Sequence, residues 1–282
     1  MGCVATDYSD WIGRHEQAFD VLEPARCNAL RATLGNPLPL DTGYPLPLLH
    51  HWLYFWDVRV PQGLGADGHP LRGGFLPPVD LPRRMWAGGR LTFLEPLWLG
   101  EQVMRDSRIL DVAVKSGRSG ELVFVTVEHR LSGSAGLAIV EQQDIVYRGA
   151  QQPGTATLPQ AADSEPACEW RQDYWPDPVM LFRYSGLTMN GHRIHYDRPY
   201  AIDEEAYPGL VVHGPLQASM LMQLALDNLD APVATFSFRG AAPAFSGHML
   251  NVCGNREAGG ARLWTAQGAG ACMEASVTCV DI

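Results

Sequence analysis

The stretch MNGHRIHYDRPYA, Met189 to Ala201, gathers Asn190, His192, His195 and Asp197 in a chain of which only 18% of residues are charged. Imidazole titrates near neutral pH and can both take and return a proton. Three roles are open to such a group: metal binding, proton transfer, or satisfying a buried turn. A metal would use His192, His195 and Asp197. That pattern lacks the i, i+4 histidine spacing of a helical zinc site and has no cysteine near it, so no metal is expected. Ser185 and Ser219 lie outside any G-x-S-x-G, so a serine nucleophile is not expected either. Acid/base chemistry fits best, with His195 at its centre.

Downstream, GLVVHGPLQASMLMQLALDN offers a second ingredient. Pro215 suits a first helical turn, and the Ala, Met, Leu and Gln that follow are strong helix formers. The helix is apolar on nearly every side, which predicts burial within a sheet. Interruption by His213, Gly214, Pro215 and two glutamines argues against a membrane span. A helix start exposes unpaired N–H groups and partial positive charge, and a glycine there lets a ligand approach the backbone. Gly214 is therefore a candidate oxyanion donor.

The elements that must hold these residues show a repeat. GGRLTFLEPLWLGEQVMRDSRIL, from Gly88, alternates apolar and polar residues up to a P-x-x-x-G step at Pro96 and Gly100. TFSFRGAAPAFSGHMLNVCG does the same at Pro243 and Gly247, each offset by 147 residues. Both are followed by glycine turns and more alternation, ELVFVTVEHRL and AIVEQQDIVYRG in one case, ARLWTAQ and CMEASVTCV in the other. Period-two alternation between glycine turns predicts antiparallel strands with one covered face. An internal duplication is expected, each half α+β. Residues 151–178, with five prolines and no periodicity, read as the connector. The first-half counterpart of the buried helix is read in GGFLPPVDLPRRMWAGG, which is shorter and broken by three prolines.

Composition narrows the function. The 282 residues are 46% hydrophobic, enough for two packed units. A net charge of -10 with no basic run disfavours nucleic acid and anionic membrane surfaces. The six cysteines (Cys3, Cys27, Cys168, Cys253, Cys272, Cys279) form no C-x-x-C and read as free thiols in a reducing cytoplasm. The start, MGCVATDYSDW, is not a secretion signal, and its M-G-x-x-x-T match to an acylation motif is weak.

LFRYSGLTMNGHRIHYDRPYA, YPGLVVHGPLQASMLMQL and FRGAAPAFSGHML, in that order, resemble the MaoC-like hot-dog hydratases. The closest likeness is to the type 2 hydroxyacyl-thioester dehydratase branch, which includes itaconyl-CoA and mesaconyl-C4-CoA hydratases. It covers the second half strongly and the first more loosely. The resemblance implies an α+β double hot-dog, two antiparallel sheets each wrapped around a central helix. Residues 1–150 would be a non-catalytic N-terminal hot-dog forming part of the substrate channel, 151–178 the linker, and 179–282 the hot-dog with the hydratase motif. Laid on the superfamily's D-x-N-P-x-H, the histidine falls on His195, but Asn190, His192 and Arg193 stand at the Asp, Asn and Pro positions. The usual carboxylate is therefore missing, and Asp197 or one from elsewhere in the fold would assist His195.

The implied activity is reversible hydration of an α,β-unsaturated acyl-CoA. His195 would be the base, Asn190 would position water, Asp197 would support the imidazole, and Gly214 would hold the thioester oxygen. Arg193, His213, Arg183 and Tyr184 are the candidate substrate contacts, with Arg83 and Arg84 as further cations for a terminal carboxylate. Coenzyme A enters as part of the substrate, no separate cofactor is expected, and pairing into a homodimer fits the fold by analogy. An acyl-CoA thioesterase, a fatty-acid-type dehydratase and a non-catalytic acyl-CoA-binding module are the alternatives.

Overall fold

A computed structural model describes residues 7–36, 38–117, 120–150, 154, 156–159 and 167–280. The Met1-Gly2-Cys3 start and much of the expected connector lie outside these residues. The first half runs β1 (His15–Val21), α1 (Pro24–Thr33), a 3-10 turn at His50–Leu53, then β2 (Arg83–Phe93), β3 (Gln102–Gly117), β4 (Gly120–Gly133) and β5 (Gly136–Arg148). The second runs β6 (Trp170–Tyr174), α2 (Pro178–Thr188), a 3-10 turn at Arg193–His195, α3 (Arg198–Asp203), α4 (Gly214–Asn228), then β7 (Val233–Gly240), β8 (Leu250–Glu257), β9 (Gly260–Gln267) and β10 (Gly270–Cys279).

All ten strands form one antiparallel sheet in the order β1-β3-β4-β5-β2-β7-β10-β9-β8-β6. Read from either end, the order repeats the same chain plan, so β1 answers to β6, β2 to β7 and β5 to β10. The expected duplication is thus written into the topology. The two P-x-x-x-G steps occupy matching β2–β3 and β7–β8 connections, and Gly100 and Gly247 both take positive φ, +92° and +81°. Only glycine adopts that turn without penalty, which is why the motif survives in both copies. The halves meet where β2 pairs with β7, from Gly88 opposite Arg239 to Thr92 opposite Thr235.

The second half wraps its sheet around α4, as expected. Nine of its residues are buried, from Leu216 to Ala225, and the helix packs against β6, β7, β8, β9 and β10. Leu216 and Leu221 are fully enclosed, each gaining about 1.5–3 kcal/mol from burial.

The first half departs from expectation. Among its described residues it has no comparable helix: α1 packs against α2, and only short 3-10 turns, at His50–Leu53 and Pro61–Gly63, lie between α1 and β2 in the matching part of the chain. The proline-broken stretch from Gly73 forms no helix; from Arg83 it is strand β2. Pro77, Pro78 and Pro82 remove the N–H groups a helix would need. β6 also falls inside the expected connector, where it closes the second half by pairing with β8. No helix among the described residues is long and apolar enough to cross a membrane.

Candidate active site

The histidine motif hangs between α2 and α4. α2 stops at Met189, whose φ of +52° turns the chain, and Asn190 then accepts a hydrogen bond from the His192 backbone N–H through Oδ1 at 3.0 Å. That leaves the Asn190 amide nitrogen as its free donor. A first-half loop locks the motif in place: the Arg193 backbone N–H donates to the Asp67 carbonyl at 2.9 Å, and the backbones of Gly68 and Gly191 touch so closely that neither has room for a side chain.

His195 is 7% exposed, and its Nδ1 donates to the Val211 carbonyl at 2.7 Å. A carbonyl can only accept, so the proton sits on Nδ1 and Nε2 keeps its lone pair. Burial, with the neighbouring His192 adding to it, pushes the His195 pKa down to about 3, so the ring is neutral across the physiological range. One face stacks on His213 at 3.6 Å between ring centres. His213, the residue before α4, is fully buried and pairs through Nε2 with Ser185 Oγ at 2.8 Å.

Two carboxylates approach this group through other histidines. His192 lies edge-on to His195 at 5.5 Å, and its Nε2 pairs with Glu205 at 2.8 Å. The other Glu205 oxygen accepts from Arg83 of β2 at 3.2 Å. Burial opposes the Glu205 charge, but His192 and Arg83 together hold its carboxyl below the ordinary range. On the far side His69 lies 4.3 Å from the His192 ring, and its Nδ1 pairs with Asp67 at 3.1 Å. Asp67, His69 and His192 are the one group among the described residues whose ligand atoms lie close enough to hold a metal, within 4.8 Å of one another. Asp67 and His69 already bond each other and His192 bonds Glu205, so an ion would have to displace both pairs. The triple weighed from sequence, His192, His195 and Asp197, is not assembled.

Asp197 is the main correction. It neither touches nor faces His195; it caps α3 by accepting from the Tyr200 N–H and pairs with Arg193 at 2.7 Å. The 3-10 turn at Arg193–His195 sends the two side chains apart. Arg193 is spent on that pair and on the Ala66 carbonyl. Arg183 is exposed on α2, and His213 is enclosed behind His195, so neither is a lining residue of the cavity. Tyr184 is buried edge-on to His213 at 4.9 Å and does line it.

That cavity, about 210 Å³, lies between the halves. The second half supplies Tyr184, Thr188, Asn190 and Pro215, so the cavity borders the motif and the start of α4, with His195 and Gly214 close to its lining residues in the chain and not among them. A Cβ added to Gly214 would meet nothing closer than 3.7 Å, so no protein neighbour demands the glycine there. The first half supplies Trp52 and Trp86, edge to face at 5.0 Å, and a polar floor of His51, Arg105, His129 and Glu141. Glu141 is 1% exposed and ringed by donors: His51 Nε2 at 3.0 Å, Trp52 Nε1 at 2.9 Å and Gln143 Nε2 at 2.9 Å. Burial works against its charge, yet the His51 hydrogen bond and its partners hold its pKa at about 2.

Sequence reasoning missed Glu205, Asp67 and His69, and the whole first-half floor. One signal was present: His50 and His51 sit in PLLHHWLYFW, an uncharged aromatic run where paired imidazoles are out of place.

The arrangement agrees with what known proteins resemble. The family description "Hydroxyacyl-thioester dehydratase type 2" matches residues 49–246. A mesaconyl-C(4)-CoA hydratase of Chloroflexus aurantiacus is 49% identical over 244 residues, covering 86% of each chain. The mitochondrial hydroxyacyl-thioester dehydratase type 2 of Schizosaccharomyces pombe is 27% identical, over 83% of this chain and 88% of its own. Among solved structures, HtdX of Mycobacterium tuberculosis superposes with a TM-score of 0.64 at 18% identity, covering 94% of this chain and all of its own. A second protein of that organism, described as having a double hotdog fold, gives 0.59 at 13% identity over 95% and 96%. The fold is the α+β double hot-dog, its two sheets continuous across β2 and β7. The chain belongs to the hydroxyacyl-thioester dehydratase type 2 family and is a hydro-lyase, a hydratase/dehydratase of acyl thioesters.

Proposed function

We propose that this chain reversibly hydrates an α,β-unsaturated acyl-CoA whose acyl group ends in a second carboxylate, mesaconyl-C4-CoA first and itaconyl-CoA next. The observation that carries the reading is the buried, neutral His195, fixed by the Val211 carbonyl with its Nε2 lone pair uncommitted. The likeness to a mesaconyl-C(4)-CoA hydratase supports the substrate class.

The thioester oxygen lies on the Gly214 N–H at the head of α4, where the helix start favours the negative charge of the enolate-like transition state. The Asn190 amide nitrogen holds the water. His195 Nε2 takes its proton as the oxygen bonds the β carbon, and the same proton returns to the α carbon. The imidazolium formed in passing is favoured by Glu205, one imidazole away through His192, and this carboxylate takes the role expected of Asp197. No group beyond the CoA ester is called for. The free thiols of Cys27, Cys272 and Cys279 suit a reducing compartment, and on that ground we assign the activity to the cytoplasm.

The test is a panel of crotonyl-, mesaconyl-C1-, mesaconyl-C4- and itaconyl-CoA followed by enoyl-thioester absorbance. Hydration without free thiol is expected for mesaconyl-C4-CoA and itaconyl-CoA. Thiol release from saturated acyl-CoA would mean a thioesterase, and turnover of crotonyl-CoA alone would remove the dicarboxylate.

A further inference from the structure

The cavity floor is built unlike an acyl pocket for hydrocarbon. Along β4 one face carries Val123, Val125 and Val127, all enclosed, and the same face continues as His129 and Leu131. Along β5 it passes from Ile139 to Glu141 and Gln143, and β3 contributes Arg105 opposite Leu131. Alternation puts every one of these side chains on one side of the sheet. Three neighbouring strands thus turn polar together, where the cavity lies. Burying that much polarity is costly unless it is used.

Most of it is internally satisfied. Glu141 has its three donors, and His129 Nδ1 pairs with Ser107 Oγ at 2.7 Å. Two groups are left over. Arg105 Nε is buried with no hydrogen-bond partner, its guanidinium resting over the Phe55 ring at 5.0 Å, and no ion pair holds it among the described residues. His51 Nδ1, the ring atom opposite the one bonded to Glu141, is likewise buried and unpartnered. The Arg105 Nε–H and the His51 Nδ1, both buried without a hydrogen-bond partner on residues that line one cavity, are placed to meet the two oxygens of a carboxylate.

We propose that Arg105 and His51 receive the distal carboxylate of the acyl group, and so set the preference for a short dicarboxylyl thioester over a simple enoyl chain. This rests on the hydratase reading and gives it a specificity site in the half that carries none of the acid/base motif. With the thioester oxygen on Gly214, the acyl chain passes Pro215 and Asn190 and ends on the first-half floor. The ligand carboxylate meets Arg105, whose charge otherwise faces Glu16, Glu141 and Asp57. Arg193, Arg183, Arg83 and Arg84, the cations suggested by the sequence, do not line the cavity.

The test compares wild type with Arg105→Met, Arg105→Lys and His51→Gln. It measures kcat/KM for mesaconyl-C4-CoA against crotonyl-CoA, and Kd by calorimetry for succinyl-CoA against butyryl-CoA, two four-carbon esters differing in the carboxylate. Wild type should favour the dicarboxylyl member of each pair. Arg105→Met should cut both preference ratios by about 100-fold and His51→Gln by about 10-fold, with Arg105→Lys between them and wild type. A folded Arg105→Met with both ratios within threefold of wild type overturns the proposal and leaves the hydratase reading standing. Should Arg105→Met not fold, His51→Gln decides on the same ratios. Wild type that hydrates crotonyl-CoA but not the dicarboxylyl ester sinks the site together with the dicarboxylate part of the proposed function and leaves an enoyl-CoA hydratase standing, whereas wild type that hydrates no enoyl-CoA sinks the hydratase reading as well.

Discussion

The two halves share one strand order and put it to opposite uses. The second gives the inner face of its sheet to α4, and apart from one buried hydrogen bond from Thr265 to Gln217 the surface between them is apolar, with Leu216, Leu221, Phe236, Leu250 and Leu263 all enclosed. The first keeps only short 3-10 turns, at His50–Leu53 and Pro61–Gly63, where that helix would be, and its cavity wall holds a buried carboxylate, a guanidinium and two imidazoles. One copy of a duplicated scaffold can therefore spend its stability on a rigid helix that aims the acid/base group, while the other gives up the helix for a cavity. Arg83 in β2, bonded to Glu205, ties the first half back into the histidine cluster.

The largest effect expected is on the half that carries the motif. His195→Ala should lower kcat by about 10²- to 10⁴-fold with acyl-CoA binding largely kept; retention of more than a tenth of wild-type turnover would move the base elsewhere. The wild-type pH profile bears on the same residue. Because the His195 pKa is lowered to about 3, its neutral form persists as pH falls through 6.5. The acid limb of kcat should therefore lie well below 6.5, and a limb at 6.5 would point to a different base.

Leu221→Ala probes the division of labour through stability. It empties a fully enclosed site on α4 and should cost about 2–5 kcal/mol in urea unfolding. A loss under about 1 kcal/mol would mean that α4 is not the anchor the comparison makes it. Glu205→Gln comes next: it removes the charge behind His192 and should lower kcat about tenfold with little change in KM. An unchanged kcat would leave His195 working without a carboxylate. The smallest effect belongs to Asp197→Asn. Its helix cap and partly exposed ion pair contribute little to stability, and turnover should stay within threefold of wild type. A hundredfold loss would restore Asp197 to the chemistry.

The sequence discloses some of this directly and hides the rest for definable reasons. Period-two alternation and the shared Pro96/Gly100 and Pro243/Gly247 steps reveal the duplicated sheet because strand faces and positive-φ turns are local properties. The apolar run after Pro215 reveals α4 for the same reason. The partner of His195 is not local. Asp197 is two positions away, but a 3-10 turn points it outward, while α3 carries Glu205 back to His192 and a first-half loop delivers Asp67 and His69. No spacing rule links those residues. The floor of the cavity sits between these cases: in VTVEHRL and AIVEQQD, a histidine, a glutamate and a glutamine occupy inward positions that alternation reserves for apolar residues. The anomaly is readable, though its meaning depends on three strands being side by side.

The seam has its own consequence. At Gly88 a Cβ would fall 2.6 Å from the Phe238 carbonyl, and at Gly89 it would fall 2.9 Å from the Phe238 ring. These glycines stand on the one ladder joining the halves, beside the Trp86 that lines the cavity. Two side-chain hydrogens therefore set the distance between the proposed acyl pocket and His195, the proposed base. Any larger residue there would act as a spacer, pulling substrate and base out of step without touching either.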